Sequence, residues 1–308
     1  MISRVSKPST ELSHWCAQHL GSPAVDLLFT VQKLSFVTAL RLDDGRRVVV
    51  KARCAEERVR TCAAVQRLLW ERGFPCPQPL AGPAAYGDKV ATAEVLIEGG
   101  DALARDGAAP LFARALAMQV ALVGDREIAG TLEPVPLWVN WDHPARLTWP
   151  PDPVVELNAR PGPDWLDGAG ESARERLRAA SALPKVIGHA DWESQNLRWR
   201  GRELHVAFDW DSLVRRPEAI VAGMAALMFP STGPTNEAAT VDESDAFLAA
   251  YQDARGRAFT RDELEVAWAA GLWIGAWKAK KKALRFGDTR VMEELEPQAA
   301  ERLRRSGG

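Results

Sequence analysis

A carboxylate, an amide and a second carboxylate stand within one short reach of the chain. The run His189-Ala190-Asp191-Trp192-Glu193-Ser194-Gln195-Asn196 is followed by Phe208-Asp209-Trp210-Asp211. The order H-x-D-x-x-x-x-N, then an apolar residue and an acid, is the one in which a phosphoryl-transfer site places its base and its two metal ligands. A hydroxyl attacking phosphorus needs a carboxylate to orient it and accept its proton, which is the role predicted for Asp191. Magnesium prefers hard oxygen ligands at octahedral positions, and an Asn amide oxygen and a carboxylate supply them. Asn196 and Asp209 are the predicted Mg2+ ligands. His189 is expected to brace the loop rather than to move protons.

The elements that must position these groups can be read from periodicity and punctuation. Residues 186–187 make a short apolar strand that enters the loop, 197–199 leave it, 200–203 turn, and 204–208 form a second strand. That pattern puts Asn196 and Asp209 at the outer ends of a hairpin. Upstream, 34–42 and 47–52 are predicted strands joined by Asp43-Asp44-Gly45, a strong hairpin signal. Lys51 ends the second of them; alone it would read as a solvated edge charge, but in this position it matches the phosphate-binding lysine of the V-A-I-K strand. Helices are predicted at 9–20, with a hydroxyl residue as N-cap, and at 55–72, 109–123, 170–182, 217–228, 243–251 and 262–280. The segment 134–165 carries Trp138, Trp141, His143, Trp149 and Trp165; an irregular connection pinned by Trp rings is preferred over an aromatic substrate wall. Arg174, Arg176 and Arg178 read as a solvated helix face. Lys278, Lys280, Lys281 and Lys282 read as a cationic helix end that complements the dipole, with an anion patch as the lesser alternative.

The loop resembles the "HGDxxxxN…(I/F)DW" signature of the aminoglycoside phosphotransferase family, the small-molecule branch of the protein-kinase-like fold. The resemblance implies an α+β, bilobal molecule: residues 1–98 as an N-terminal antiparallel sheet lobe with one helix, and 99–308 as a mainly helical lobe. It implies transfer of the γ-phosphoryl group of ATP or GTP, with Mg2+, to a hydroxyl of an aminoglycoside-like, sugar or amino-alcohol acceptor. Ala190 stands where protein kinases carry an Arg that clamps a phosphorylated activation loop, and the chain has no room for a long activation segment before Pro217. Phe74-Pro75-Cys76-Pro77-Gln78-Pro79-Leu80 resembles the family's proline-rich approach to the next strand. By the same resemblance, backbone groups from Val95 to Ile97 meet the adenine edge, and the loop around Ser35 covers the phosphates. Two departures stand out. Residues 31–36 contain no glycine, and the helix position near 62–64, where an acid should partner Lys51, holds none; Glu57 lies more than a turn away. They fit a catalytically idle, kinase-like binding protein, whereas the intact base and metal ligands fit an enzyme. For a cationic acceptor, Asp211 and Glu193 are the foremost predicted contacts, followed by Glu237, Asp242, Glu243 and Asp245.

Composition narrows the partners. With 39 basic and 41 acidic residues, a net charge of −2, the chain lacks the excess of positive charge that nucleic acid requires. Its four cysteines form no C-x-x-C pair, which points away from zinc and from a disulfide framework. No segment has the length and apolarity of a membrane span. A cytoplasmic enzyme without nucleic-acid or membrane partners is expected, and the sequence sets no oligomeric state.

Overall fold

The computed structural model describes residues 7–32, 35–54, 57–124, 128–160, 162–233 and 237–308. They divide into two compact units. The first holds Met1–Gly100 together with Glu127–Glu133 and Val206–Asp211; the second holds Asp101–Arg126, Pro134–His205 and Ser212–Gly308. The expected division after residue 98 compares with one after Gly100. The two later segments of the first unit were not foreseen, so Asp209 and Asp211, expected in the C-terminal part, belong with the N-terminal one.

Within the first unit, α1 (Thr10–Leu20) is capped by Ser9, whose Oγ accepts from Leu12 N at 3.2 Å. Five antiparallel strands follow: β1 (Ala24–Gln32), β2 (Phe36–Leu42), β3 (Arg47–Cys54), β4 (Pro79–Tyr86) and β5 (Lys89–Val95), in spatial order β1-β2-β3-β5-β4. Leu12, Trp15 and Cys16 of α1 pack with Leu40, Leu42, Val48 and Val50 in a buried cluster. Helix α2 (Glu57–Glu71) buries Val59, Cys62, Val65 and Leu69. The pairing β2–β3 has the register expected of an Asp-Gly hairpin, with Lys51 opposite Val37 on one side and Thr92 on the other. Sequence reading missed β1 and β4. Both are edge strands, and β4 holds Pro79 and Pro83, residues that a sheet tolerates only where no ladder N–H is needed.

The second unit is mainly helical: α3 (Ala109–Val123), α4 (Asp164–Ala179), α5 (Glu218–Met228), α6 (Val241–Arg255), α7 (Arg261–Phe286) and α8 (Arg290–Arg305). Its strand β6 (Lys185–His189) pairs antiparallel with β9 (Leu213–Pro217), while β7 (Leu197–Arg200) pairs with β8 (Glu203–Ala207) as a separate ribbon. Every residue of α5 is buried, and α7 crosses it so closely that a Cβ on Gly223 would lie 2.0 Å from the Ala267 carbonyl oxygen. Helices α6 and α7 each open with a full capping box, Thr240 with Glu243 and Thr260 with Glu263. Several expectations are corrected here. Helix α4 starts at Asp164 rather than 170, and α7 continues to Phe286, so the lysine run lies inside the helix and not at its end. Helix α8, with Pro297 inside it, was not foreseen.

Candidate functional site

The second unit carries the Asp191 loop. Strand β6 delivers a buried His189, after which the backbone is held on both sides: Ala190 N donates to Ser212 O at 2.9 Å, and Trp138 Nε1 donates to Ala190 O at 3.0 Å. His189 Nδ1 accepts from Asp191 N at 3.1 Å, which makes that nitrogen the acceptor and places a neutral ring's proton on Nε2. Its ring stands edge-on to Trp192, whose Nε1 donates to Phe112 O at 3.0 Å. The histidine thus ties the loop backbone to the Trp192 ring. A short 3₁₀ turn, Ser194–Asn196, returns Asn196 to the aspartate: Nδ2 donates to both Asp191 O and Asp191 Oδ2 at 2.8 Å. The amide's donors face Asp191, so its oxygen is directed away from that contact.

Glu193 does not stand free to meet a cationic acceptor. It is buried, its Oε2 accepts from Gln195 Nε2 at 2.7 Å and from Ser231 Oγ at 3.0 Å, and Lys278 from α7 pairs with its Oε1. The other lysines of that run are also engaged. Lys280 pairs with Asp167, Lys281 with Asp152 at 2.6 Å, and Lys282 reaches the Gly233 carbonyl at 3.5 Å. Arg174, expected on a solvated face, is buried. It donates to the carbonyls of Trp141 (2.8 Å), His143 (2.9 Å) and Ala145 (3.0 Å), and so pins the Trp-rich segment. Trp141 and Trp149 are buried as well, and Trp273 Nε1 donates to Trp138 O at 2.9 Å. The packing alternative for 134–165 accounts for these rings, and one of them, Trp138, bonds the Asp191 loop directly.

The first unit carries Lys51, and here the structure supplies the partner that sequence reading could not find. Lys51 Nζ lies 3.0 Å from Glu94 Oε1, with both side chains buried. The acid comes from β5, two strand positions from the residue that pairs with Lys51, instead of from the helix. Helix α2 contributes Gln66, whose Nε2 donates to Glu94 Oε2 at 2.8 Å and to Pro77 O at 3.0 Å. Glu57 stays exposed at the start of α2. Burial acts to lower the Lys51 pKa, but the carboxylates of Glu94, Asp211 and Asp209 outweigh it, and the ammonium is held above its ordinary value of 10.5.

Asp209 adopts φ 64°, the one positive φ of a non-glycine residue among the described residues. Left-handed backbone of this kind concentrates at functional positions and persists only where the surroundings impose it. Next to Asp209, Trp210 Nε1 donates to Ala207 O at 3.0 Å and the ring stands edge-on to Phe74. Arg58 Nη1 donates to Asp211 O at 2.8 Å, and Arg53 pairs with Asp211 Oδ1 at 2.9 Å. Asp211 is thus a brace within the first unit rather than a free acceptor contact. Of the predicted hinge groups, Val95 N–H is spent on Gln78 O and Leu96 N–H on Arg47 O, each at 3.0 Å, which leaves Ile97 as the expected position outside those bonds. Ser35 is half-buried next to β2; its neighbours 33 and 34, part of the predicted phosphate loop, lie outside the described residues, as do 55 and 56 of the predicted helix.

No group of three or more His, Cys, Asp or Glu side chains that could hold a metal occurs among the described residues. Among the described residues no helix is long and apolar enough to cross a membrane.

No protein-family model matches the sequence, and no curated protein matches it. Solved structures do. An amicoumacin kinase in complex with AMP-PNP, Ca2+ and Ami superposes with a TM-score of 0.63 at 11% identity, covering 91% of this chain and 88% of that one. An aminoglycoside phosphotransferase from Alicyclobacillus acidocaldarius gives 0.58 at 13% identity, covering 99% and 96%. A thermostable mutant of the aminoglycoside phosphotransferase APH(4)-Ia, with ADP and hygromycin B, gives 0.59 at 13% identity, covering 97% and 100%. The fold is therefore the one shared by aminoglycoside phosphotransferases and related small-molecule kinases. This supports the α+β expectation over nearly the whole chain.

Proposed function

We propose that the protein is a small-molecule kinase that transfers the γ-phosphoryl group of ATP or GTP to an acceptor hydroxyl. The observation that carries this reading is the Asp191 loop, where Asn196 Nδ2 holds both the carbonyl and the carboxylate of Asp191 at 2.8 Å. A carboxylate fixed in this way loses little freedom when a hydroxyl docks against it, which is how positioning lowers a barrier. Asp191 orients the hydroxyl and takes its proton, with its remaining oxygen, Oδ1, as the atom outside the Asn196 contact. Lys51, fixed by Glu94, meets the nucleotide phosphates as a point charge. Asn196 and Asp209 are the oxygen donors for magnesium, whose charge, when bound, neutralises the phosphate oxygens during in-line transfer. The backbone at Ile97 meets the base of the nucleotide, and Ser35 belongs to the loop over the phosphates.

The acceptor is an aminoglycoside-like, sugar or amino-alcohol compound; two of the structural neighbours are named as aminoglycoside phosphotransferases. Glu193 and Asp211 are not proposed as its ligands, because both are held by internal cations. The test is phosphoryl transfer from ATP and GTP to a panel of such acceptors by wild type and Asp191→Asn. Turnover should fall by about 10²–10⁴-fold in the variant, the contribution expected of a positioned base, with nucleotide affinity kept. Equal rates in the two proteins would remove Asp191 from the mechanism.

A further inference from the structure

Behind the Lys51–Glu94 pair, the first unit holds a cavity of about 240 Å³ that the proposed chemistry does not use. One wall is a face of α2 on which Arg60, Ala63, Ala64 and Arg67 follow one another at helical spacing. The opposite wall is built from β4 and β5, where Ala81, Gly82, Pro83 and Thr92 contribute small side chains. The space exists because alanine, glycine and proline line it where a packed interface would carry Leu or Ile. Arg53 is part of the lining; it donates to Thr92 Oγ1 at 3.0 Å and pairs with Asp211.

The charges lining the cavity do not cancel. Its two acids are already committed, Glu94 to Lys51 and Asp211 to Arg53. Arg60 and Arg67 form no ion pair among the described residues, and both are exposed. We infer that this cavity is a binding site for a small phosphorylated anion, taken up by Arg60 and Arg67 beside the Arg53 guanidinium. Guanidinium groups bind phosphate oxygens through paired, charge-assisted bonds, and three arginines line this cavity. At about 240 Å³ the cavity is below the usual 300–1,000 Å³ of drug-sized sites, so the ligand is a compact phosphate and not a whole nucleotide. A bound anion would touch Arg53, which holds Asp211, and lie beside Glu94, which holds Lys51. The binding itself does not rest on the kinase reading.

The experiment is calorimetric titration of the full-length protein with pyrophosphate, without divalent metal and at fixed ionic strength, alongside a separate titration with Mg-ATP. The double variant Arg60→Glu/Arg67→Glu should lose at least about tenfold in pyrophosphate affinity and keep its Mg-ATP affinity. Ala64→Phe, which fills the cavity without changing charge, should lose a similar factor and guards against a folding defect in the first variant. Pyrophosphate binding that both variants retain, binding that saturating ATP displaces competitively, or no binding to wild type would each overturn the site.

Discussion

Lys51 and Glu94 form a buried pair whose energetics are testable on their own. Glu94→Gln leaves the ammonium without its nearest compensating charge and should destabilise the first unit by about 3–5 kcal/mol, the usual result of breaking a buried pair from one side. The pH dependence follows from the raised pKa of Lys51. A cation whose folded pKa exceeds its unfolded value of 10.5 contributes stability that is complete below 10.5 and is lost as pH rises through the folded value. Urea unfolding should therefore show a constant gap between wild type and Glu94→Gln from neutral pH up to about 10, and a closing gap above it. A gap that widened with pH would contradict the assignment. The proposed site residues could be picked out because His189, Asp191, Asn196 and Asp209 are close in sequence and each residue type suits the chemistry proposed for it. The partner of Lys51 was not, since nothing local to the strand says that an acid 43 positions later will come into register with it.

At the scale of elements, helices with caps were readable and buried charges were not. The Ser9 cap and the 109–123 helix were visible from residue type and spacing, but Arg174 sits among Glu171, Arg176 and Arg178 and carries no local mark of burial. Its role appears only when the carbonyls of Trp141, His143 and Ala145 converge on it. Arg174→Met keeps the aliphatic stem but removes all three bonds, so residues 134–160 should become cleavable in limited proteolysis while the rest of the unit resists. Unchanged cleavage would show that the Trp rings alone pin the segment. The α5–α7 crossing makes a second element-level prediction. Gly223→Ala brings a methyl against the Ala267 carbonyl, where backbone rather than a flexible side chain must give way, and should cost about 1–3 kcal/mol in chemical unfolding. The lysine run was misread for a similar reason. Composition places four lysines near a presumed end, whereas α7 continues for another turn and each lysine finds its own acceptor.

For the whole molecule, the fold class was legible because a single loop signature, one hairpin and one lysine strand occur in the order the kinase-like fold demands. The composition of the units was less so. The return of Val206–Asp211 to the first unit depends on contacts such as Ala207 N to Pro75 O at 2.8 Å, which no sequence pattern announces. A magnesium-dependent nucleotide site is probed most directly by thermal unfolding with ATP or GTP, with and without magnesium, in wild type and Asp209→Asn. Asn tolerates the left-handed backbone that residue 209 requires, so the variant removes a charge and keeps the turn. A ligand that binds only the folded state stabilises it by mass action, about 2.7 kcal/mol at one hundred times its Kd. Nucleotide and magnesium together should raise the unfolding temperature of wild type by several degrees, and Asp209→Asn should lose most of the magnesium-dependent part. The absence of any shift at millimolar nucleotide, or an identical shift with and without magnesium in both proteins, would contradict that site.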